Sequence, residues 1–271
     1  MKDGIAKILP FVVGGAIGWL MFHPPEWLAL SGPLRTAVMV ALGFVLLVAF
    51  IVYSIASSVP ADVGISPHAG PVDAGIRGLA EKIQALGFVE AGPPCRVEIK
   101  PAVTLLPFVH ASEPVYATVF RTGTVPAVTA FDFVSILDGF RGGLTTSADP
   151  RGGTLPSGPG AFRQIRDGAG VESAYRLHLE GVSWLRSRGL GAKKVSAREF
   201  AADFKAAIRK QHEGFRSAPV RHALIALWRT VSKRHPHDGP LARQPGAEDQ
   251  VRELQAGRQS FPGANRRRSS S

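Results

Sequence analysis

From Thr36 to Val59 the chain runs for 24 residues without a charged side chain, and no other feature restricts its fold as strongly. A helix rises about 1.5 Å per residue, so this run reaches roughly 36 Å, enough to cross a hydrocarbon core with some tilt. Its centre, Ala37 to Val52, is apolar on every face, whereas a helix of a small soluble domain keeps one side for water. Tyr53 stands where an interfacial aromatic belongs, and Pro60 closes the run.

A second apolar segment, Ile8 to Phe22, has 15 uncharged residues. Counted from Ile5, with Lys7 snorkelling, it reaches about 27 Å. Gly14 and Gly18 offer a small-residue face for close packing against the later helix, at Ala41 or Gly43. A cleaved signal peptide fits less well, because Pro24 and Pro25 interrupt the run before the cleavage-like Ala29-Leu30-Ser31. An interfacial helix would need a charged face that this segment lacks. The expectation is a two-helix transmembrane hairpin over residues 1–60. Lys2 and Lys7 precede it, while the loop from His23 to Arg35 balances one arginine against Glu26. The positive-inside rule then places both termini in the cytoplasm, at a bacterial inner membrane.

Behind the anchor, residues 61–73 are rich in Pro and Gly and read as a linker. A helix follows, with Ile76, Leu79, Ile83 and Leu86 at helical spacing, Asp73 as N-cap and Gly87 past its end. Next come apolar and β-branched runs. Val103 to Ala111 contains Pro107, which marks an edge strand or a bulge. Val115 to Phe120, Val128 to Leu137 and Leu144 to Ser147 complete a small antiparallel sheet of about four strands, with a tight turn at Asp138-Gly139. Residues 149–160 read as a loop. Three helices follow: a stripe from Val171 to Leu185 ending at Gly189, a helix after Ser196 with Glu199 placed for a capping box, and one from Pro219 to Val231. Strands grouped before helices make this an α+β domain over 74–236, with the helices on one face of the sheet. Residues 237–271, which end in Arg266-Arg267-Arg268-Ser269-Ser270-Ser271, read as a disordered basic tail.

The net charge of +11 and pI near 10.4 suit an anionic membrane surface or nucleic acid. The charge concentrates between Ser196 and His235, where nine Arg or Lys face three acids. The two triplets Arg141-Gly142-Gly143 and Arg151-Gly152-Gly153 are too few for an RGG segment, so nucleic acid ranks last among partners. The single cysteine, Cys95, excludes an intrachain disulfide and a cysteine-based metal cage.

The sequence carries none of the phosphate-loop, dinucleotide, zincin or nucleophile-elbow motifs. His178, on an apolar helix face, reads as a core histidine. A grouping of Ser135, Asp138 and His178 has no support from spacing, because any chain of this size offers such combinations. His235 and His237 stand at a helix end and read as a poor metal site. No catalytic, cofactor-binding or metal-ligating residue is assigned, and no cofactor is expected. Two readings remain. One is a membrane-anchored, non-enzymatic cytoplasmic module that binds a protein partner, a second copy of itself, or the anionic bilayer. The other is a membrane-tethered enzyme with a site near the 133–153 turns and His178. A cleft with convergent polar groups would favour the enzyme, and a closed core the module.

Overall fold

The computed structural model describes residues 32–58, 63–99, 102–123, 127–140, 142–148, 160–232 and 239–259. Gly32–Ser58 form helix α1, and over Gly32–Ser54 it is the one described helix long and apolar enough to cross a membrane, by length and composition. The expected partner at Ile8–Phe22 lies outside the described residues. The two-helix hairpin is therefore corrected to a single apolar helix. Val40, Phe44 and Val45 on α1 are exposed, which separates it from the core helices of a soluble domain.

The sheet is twice the size the sequence indicates. Its eight strands are β1 (Ile65–Pro67), β2 (Phe88–Glu90), β3 (Cys95–Val97), β4 (Val103–His110), β5 (Tyr116–Thr122), β6 (Thr129–Ile136), β7 (Gly143–Ser147) and β8 (Ala161–Ile165). They lie in the order β1-β3-β4-β5-β6-β7-β8, with β2 also paired to β4. All pairs are antiparallel except β7 with β8, which run parallel. The four strands read from sequence are β4 to β7. The others were missed because β1, β2 and β3 have three residues each, too few to show a period, and β8 follows directly on a sequence rich in Gly and Pro.

Two further expectations change with the sheet. Strand β4 is central, and its nearly continuous apolar run is buried because both faces of the sheet are covered. Pro107 is tolerated there because β2 pairs with Phe108–His110 and β3 with Val103–Leu105, leaving Pro107 opposite the gap between them. Its carbonyl still accepts from Ala91 N–H at 2.9 Å. The stretch 61–73, read as linker, supplies β1.

Helices cover both faces, not one. On the first face lie α2 (Ala74–Gln84) and α3 (Val171–Ser187), over Phe108, Ala117, Phe131 and Phe133. Asp73 caps α2 by accepting from Gly75 N–H at 2.8 Å, as its position in the sequence indicates. On the second face lies α4 (Phe200–Ser217), over Leu105, Val109, Tyr116 and Ile136. The Ser196–Glu199 pair forms, with Ser196 Oγ donating to Glu199 Oε2 at 2.9 Å, in the turn that leads into α4.

Helix α5 (Pro219–Ser232) continues from α4 and packs along α1, which also touches α4. The stretch read as a disordered tail supplies α6 (Ala247–Gln259), whose Ala247 and Val251 are buried with Leu241 against Val182, Leu185 and Leu190. Its polar composition hid three well-spaced apolar anchors. Residues 260–271 lie outside the described residues.

Candidate functional site

Strands β5 to β8 alternate polar side chains onto both faces, and each face gathers a different polar cluster. On the first face the cluster is sealed. His178 of α3 is fully buried, with Nε2 2.9 Å from Ser135 Oγ and Nδ1 3.0 Å from Thr146 Oγ1. Ser135 Oγ also lies 2.9 Å from Pro114 O, and Thr146 Oγ1 lies 3.0 Å from Gln164 Oε1. If both hydroxyls donated to those oxygens, both ring nitrogens would have to carry hydrogen, and the ring would be charged in an apolar core. Burial pushes His178 down to about 3, so the ring is neutral.

A half-turn of the Gln164 amide removes the conflict. Gln164 Nε2, which has no partner among the described residues, then donates to Thr146 Oγ1. Thr146 donates to His178 Nδ1, His178 Nε2–H donates to Ser135 Oγ, and Ser135 donates to Pro114 O. One proton per link satisfies the chain with a neutral imidazole. The structure thus brings Ser135 and His178 together but not Asp138, which is exposed in the turn after β6 with its N–H on Gly191 O. Thr146 takes the place an acid would hold. Ser135, Thr146, Gln164 and His178 are all fully buried, and the group forms a hydrogen-bonded core network.

The second face is open. Tyr116 Oη donates toward Asp203 Oδ2 and Ser196 O, both at 3.0 Å. Lys193 Nζ bonds both Asp203 oxygens at 3.1 Å and stands 3.6 Å from Glu199. Burial, the Asp203 hydrogen bond and the Asp203 charge together push the Tyr116 phenol far above its ordinary range. For Lys193, burial works against the ammonium, but the hydrogen bond and charge of Asp203 outweigh it and raise the group. The effect is to pin the segment before α4 onto β5.

Beside this cluster, α4 arches over β5 to β8 and leaves a cavity of about 260 Å³. Phe200, Phe204 and Ile208 form its roof, and Val134 and Ile136 part of its floor. Thr118, Asp132, Thr145, Arg163 and Lys210 supply polar groups. The cleft therefore exists on the strands around residue 133, but on the face away from His178.

Sequence reasoning missed Tyr116, Asp203 and Lys193. Two signals were present: Asp132 inside an aromatic, β-branched strand run, and Asp203 on the apolar stripe of Phe200 and Phe204. Cys95 is buried in the core of this second face, and burial raises its thiol. The described residues hold no group of three or more His, Cys, Asp or Glu placed for a metal ion; His235 and His237 lie outside them. No protein-family model matches this chain, and no match is found among curated proteins or solved structures.

Proposed function

We propose that this is a membrane-anchored binding module, held by α1, whose α5 lies on an anionic lipid surface with the folded domain on the cytoplasmic side. The observation that carries this reading is the surface of α5. Val220, Leu224 and Trp228 stand at i, i+4 and i+8, and all three are exposed, Trp228 by 68%. The same helix packs along apolar α1. An apolar stripe left open next to a helix suited to hydrocarbon is a surface for the bilayer interface.

Charge supports the same placement. Arg216 and Arg221 are exposed at the junction of α4 and α5, and the sequence adds Arg229, Lys233 and Arg234. Each basic group near an anionic leaflet contributes about 1 kcal/mol. The tryptophan suits the interface, where its ring meets apolar chains and its N–H meets headgroups.

Trp228 also supplies the test. Trp19, Trp27 and Trp184 are replaced by Phe, and the full chain is placed in nanodiscs with lipids brominated near the headgroup. Strong quenching of Trp228 in anionic discs, reduced by Arg216→Gln with Arg221→Gln, is expected. Solvent-like emission without quenching in discs of either charge overturns the proposal. Sidedness is read separately, with Cys95→Ser, one cysteine added after Ser271, and a membrane-impermeant maleimide on intact cells. Protection until the inner membrane is breached is the expected result.

A further inference from the structure

We infer that His110 makes the turn between β4 and β5 pH-sensitive: the neutral ring holds the turn closed, and the doubly protonated ring releases Ser112 and Glu113 while staying seated against α2 and α3. This device is separate from the α5 surface and does not rest on it.

Its basis is a fixed tautomer. At the end of β4, His110 Nδ1 accepts from the backbone N–H of Ser112 at 3.2 Å and of Glu113 at 3.0 Å. On the other side of the ring, Nε2 lies 3.0 Å from Leu86 O, in the turn that ends α2. An amide N–H only donates and a carbonyl only accepts, so Nδ1 keeps its lone pair and Nε2 carries the hydrogen. Both nitrogens of the neutral ring are thus committed to backbone. A second proton can go only to Nδ1, where it would meet two N–H groups in place of an acceptor's role.

The two sides of the ring respond to that proton in opposite ways. The Leu86 carbonyl lies just past the C-terminus of α2, where the helix dipole favours a cation, and a charged donor makes the stronger hydrogen bond. The ring also stacks on Tyr175 of α3, with centroids 5.7 Å apart and 23° between the planes, a contact that attracts a cation. Phe88 of β2 meets it edge to face at 4.8 Å. Ser112 and Glu113, by contrast, are exposed and belong to no strand or helix. The turn is the side that yields.

Its flanks do not depend on Nδ1. His110 N–H donates to Val115 O at 3.0 Å, and Ser135 Oγ of the buried network lies 2.9 Å from Pro114 O. Opening is therefore confined to residues 111–113. Of the groups packed around the ring, the Tyr175 phenol is raised to about 12 by burial and by the charge of Glu113, so it keeps its proton. Glu113 is the carboxylate of the turn itself, while β2 contributes Phe88 and the end of α2 a carbonyl. Imidazole is the side chain whose charge changes between about pH 8 and 5.

The experiment follows hydrogen exchange over residues 111–115 in the full chain in zwitterionic nanodiscs, read by mass spectrometry and corrected for the intrinsic effect of pH. The scan covers roughly pH 8 to 5, the range of imidazole chemistry. NMR of isotope-labelled histidine in the same sample reports the protonation of the ring. Exchange at Ser112 and Glu113 is expected to rise about tenfold as the ring takes its second proton, the scale of one to two lost hydrogen bonds. The amides of β4 and β5 are expected to stay protected. His110→Asn keeps an acceptor near the position of Nδ1 but does not titrate, and the pH response is expected to vanish. His178→Gln, which alters the core network, is expected to leave the response in place. Circular dichroism confirms that each variant remains folded. A ring that stays neutral throughout the scan overturns the inference, as does one that titrates without a change in exchange at Ser112 and Glu113. So does a response that persists in folded His110→Asn or disappears in folded His178→Gln.

Discussion

Ser135 Oγ and His178 Nε2 lie 2.9 Å apart in the fully buried interior of the first sheet face. The pair has the spacing of a nucleophile and its base, but the third position is a threonine, Thr146, and all three side chains are fully buried. A low dielectric holds the imidazole neutral, and the neutral ring needs one donor and one acceptor. Ser135 and Thr146 supply them. The arrangement specifies how α3 sits on β6 and β7, and it sets a pH limit on the fold.

That limit is the first expected outcome. His178 titrates near 3 in the folded chain and near 6.5 when unfolded. Between these values the unfolded state binds the extra proton, so stability is fully present above about pH 6.5 and falls as pH drops toward 3. The slope approaches about 1.4 kcal/mol per pH unit. From pH 7.5 to 5 the loss is about 2 kcal/mol, measured by urea unfolding. His178→Gln should flatten this part of the profile, and the ring's NMR signal in the wild type should stay that of neutral imidazole at pH 5.

Two glycine-to-alanine changes should move stability in opposite directions. On α3, a Cβ at Gly181 would stand 2.5 Å from Gln164 Oε1 and 2.7 Å from Leu144 Cδ2. Both side chains are fully buried and have little room to yield, so Gly181→Ala should cost about 1–3 kcal/mol. On α2, a Cβ at Gly78 meets nothing within 4 Å. There the gain in helix propensity acts alone, and Gly78→Ala should stabilise by roughly 0.5–1 kcal/mol. Denaturation midpoints of the two variants decide it.

How much of this was legible in the sequence depends on length of pattern. Strands β4 to β6 and helices α2 to α5 carry periodicity over enough residues to be read, and Asp73 and Gly87 mark the ends of α2 as their chemistry requires. Three-residue strands have no readable period. Pro107 misled because its missing N–H matters only where a partner strand is continuous, and that is a tertiary fact. The second-face cavity was hidden for the same reason. Tyr116, Asp203 and Lys193 are far apart in sequence and meet only when α4 folds across the sheet.

The Tyr116–Asp203–Lys193 cluster should behave as a unit. Tyr116→Phe removes the hydroxyl proton shared between Asp203 and Ser196 O and should cost about 1 kcal/mol. Asp203, only 5% exposed, serves both the phenol and the ammonium, so Asp203→Ala should cost about 2 kcal/mol or more. In the double variant the phenol's bond can be lost only once, and the sum should fall short of additive by roughly 0.5–1 kcal/mol. Additive costs in urea unfolding would mean that the two residues act independently.

Two of the contacts that hold helix α6 differ in kind, and their weights can be separated. Arg188 of the α3 C-terminus stacks on Trp184 and forms an ion pair with Glu248, both side chains partly exposed to water. Pairs of that kind contribute about 0–1 kcal/mol. Val251 and Leu241, in contrast, are almost completely buried against α3. Glu248→Gln should therefore shift the unfolding midpoint little, and less still in high salt. Val251→Asp places an unpaired carboxylate in that contact and should cost about 3 kcal/mol or detach α6 outright. Hydrogen exchange over 247–259 reads the difference: protection should persist in the first variant and vanish in the second. The reverse order would assign the docking of α6 to the ion pair instead of to its apolar anchors.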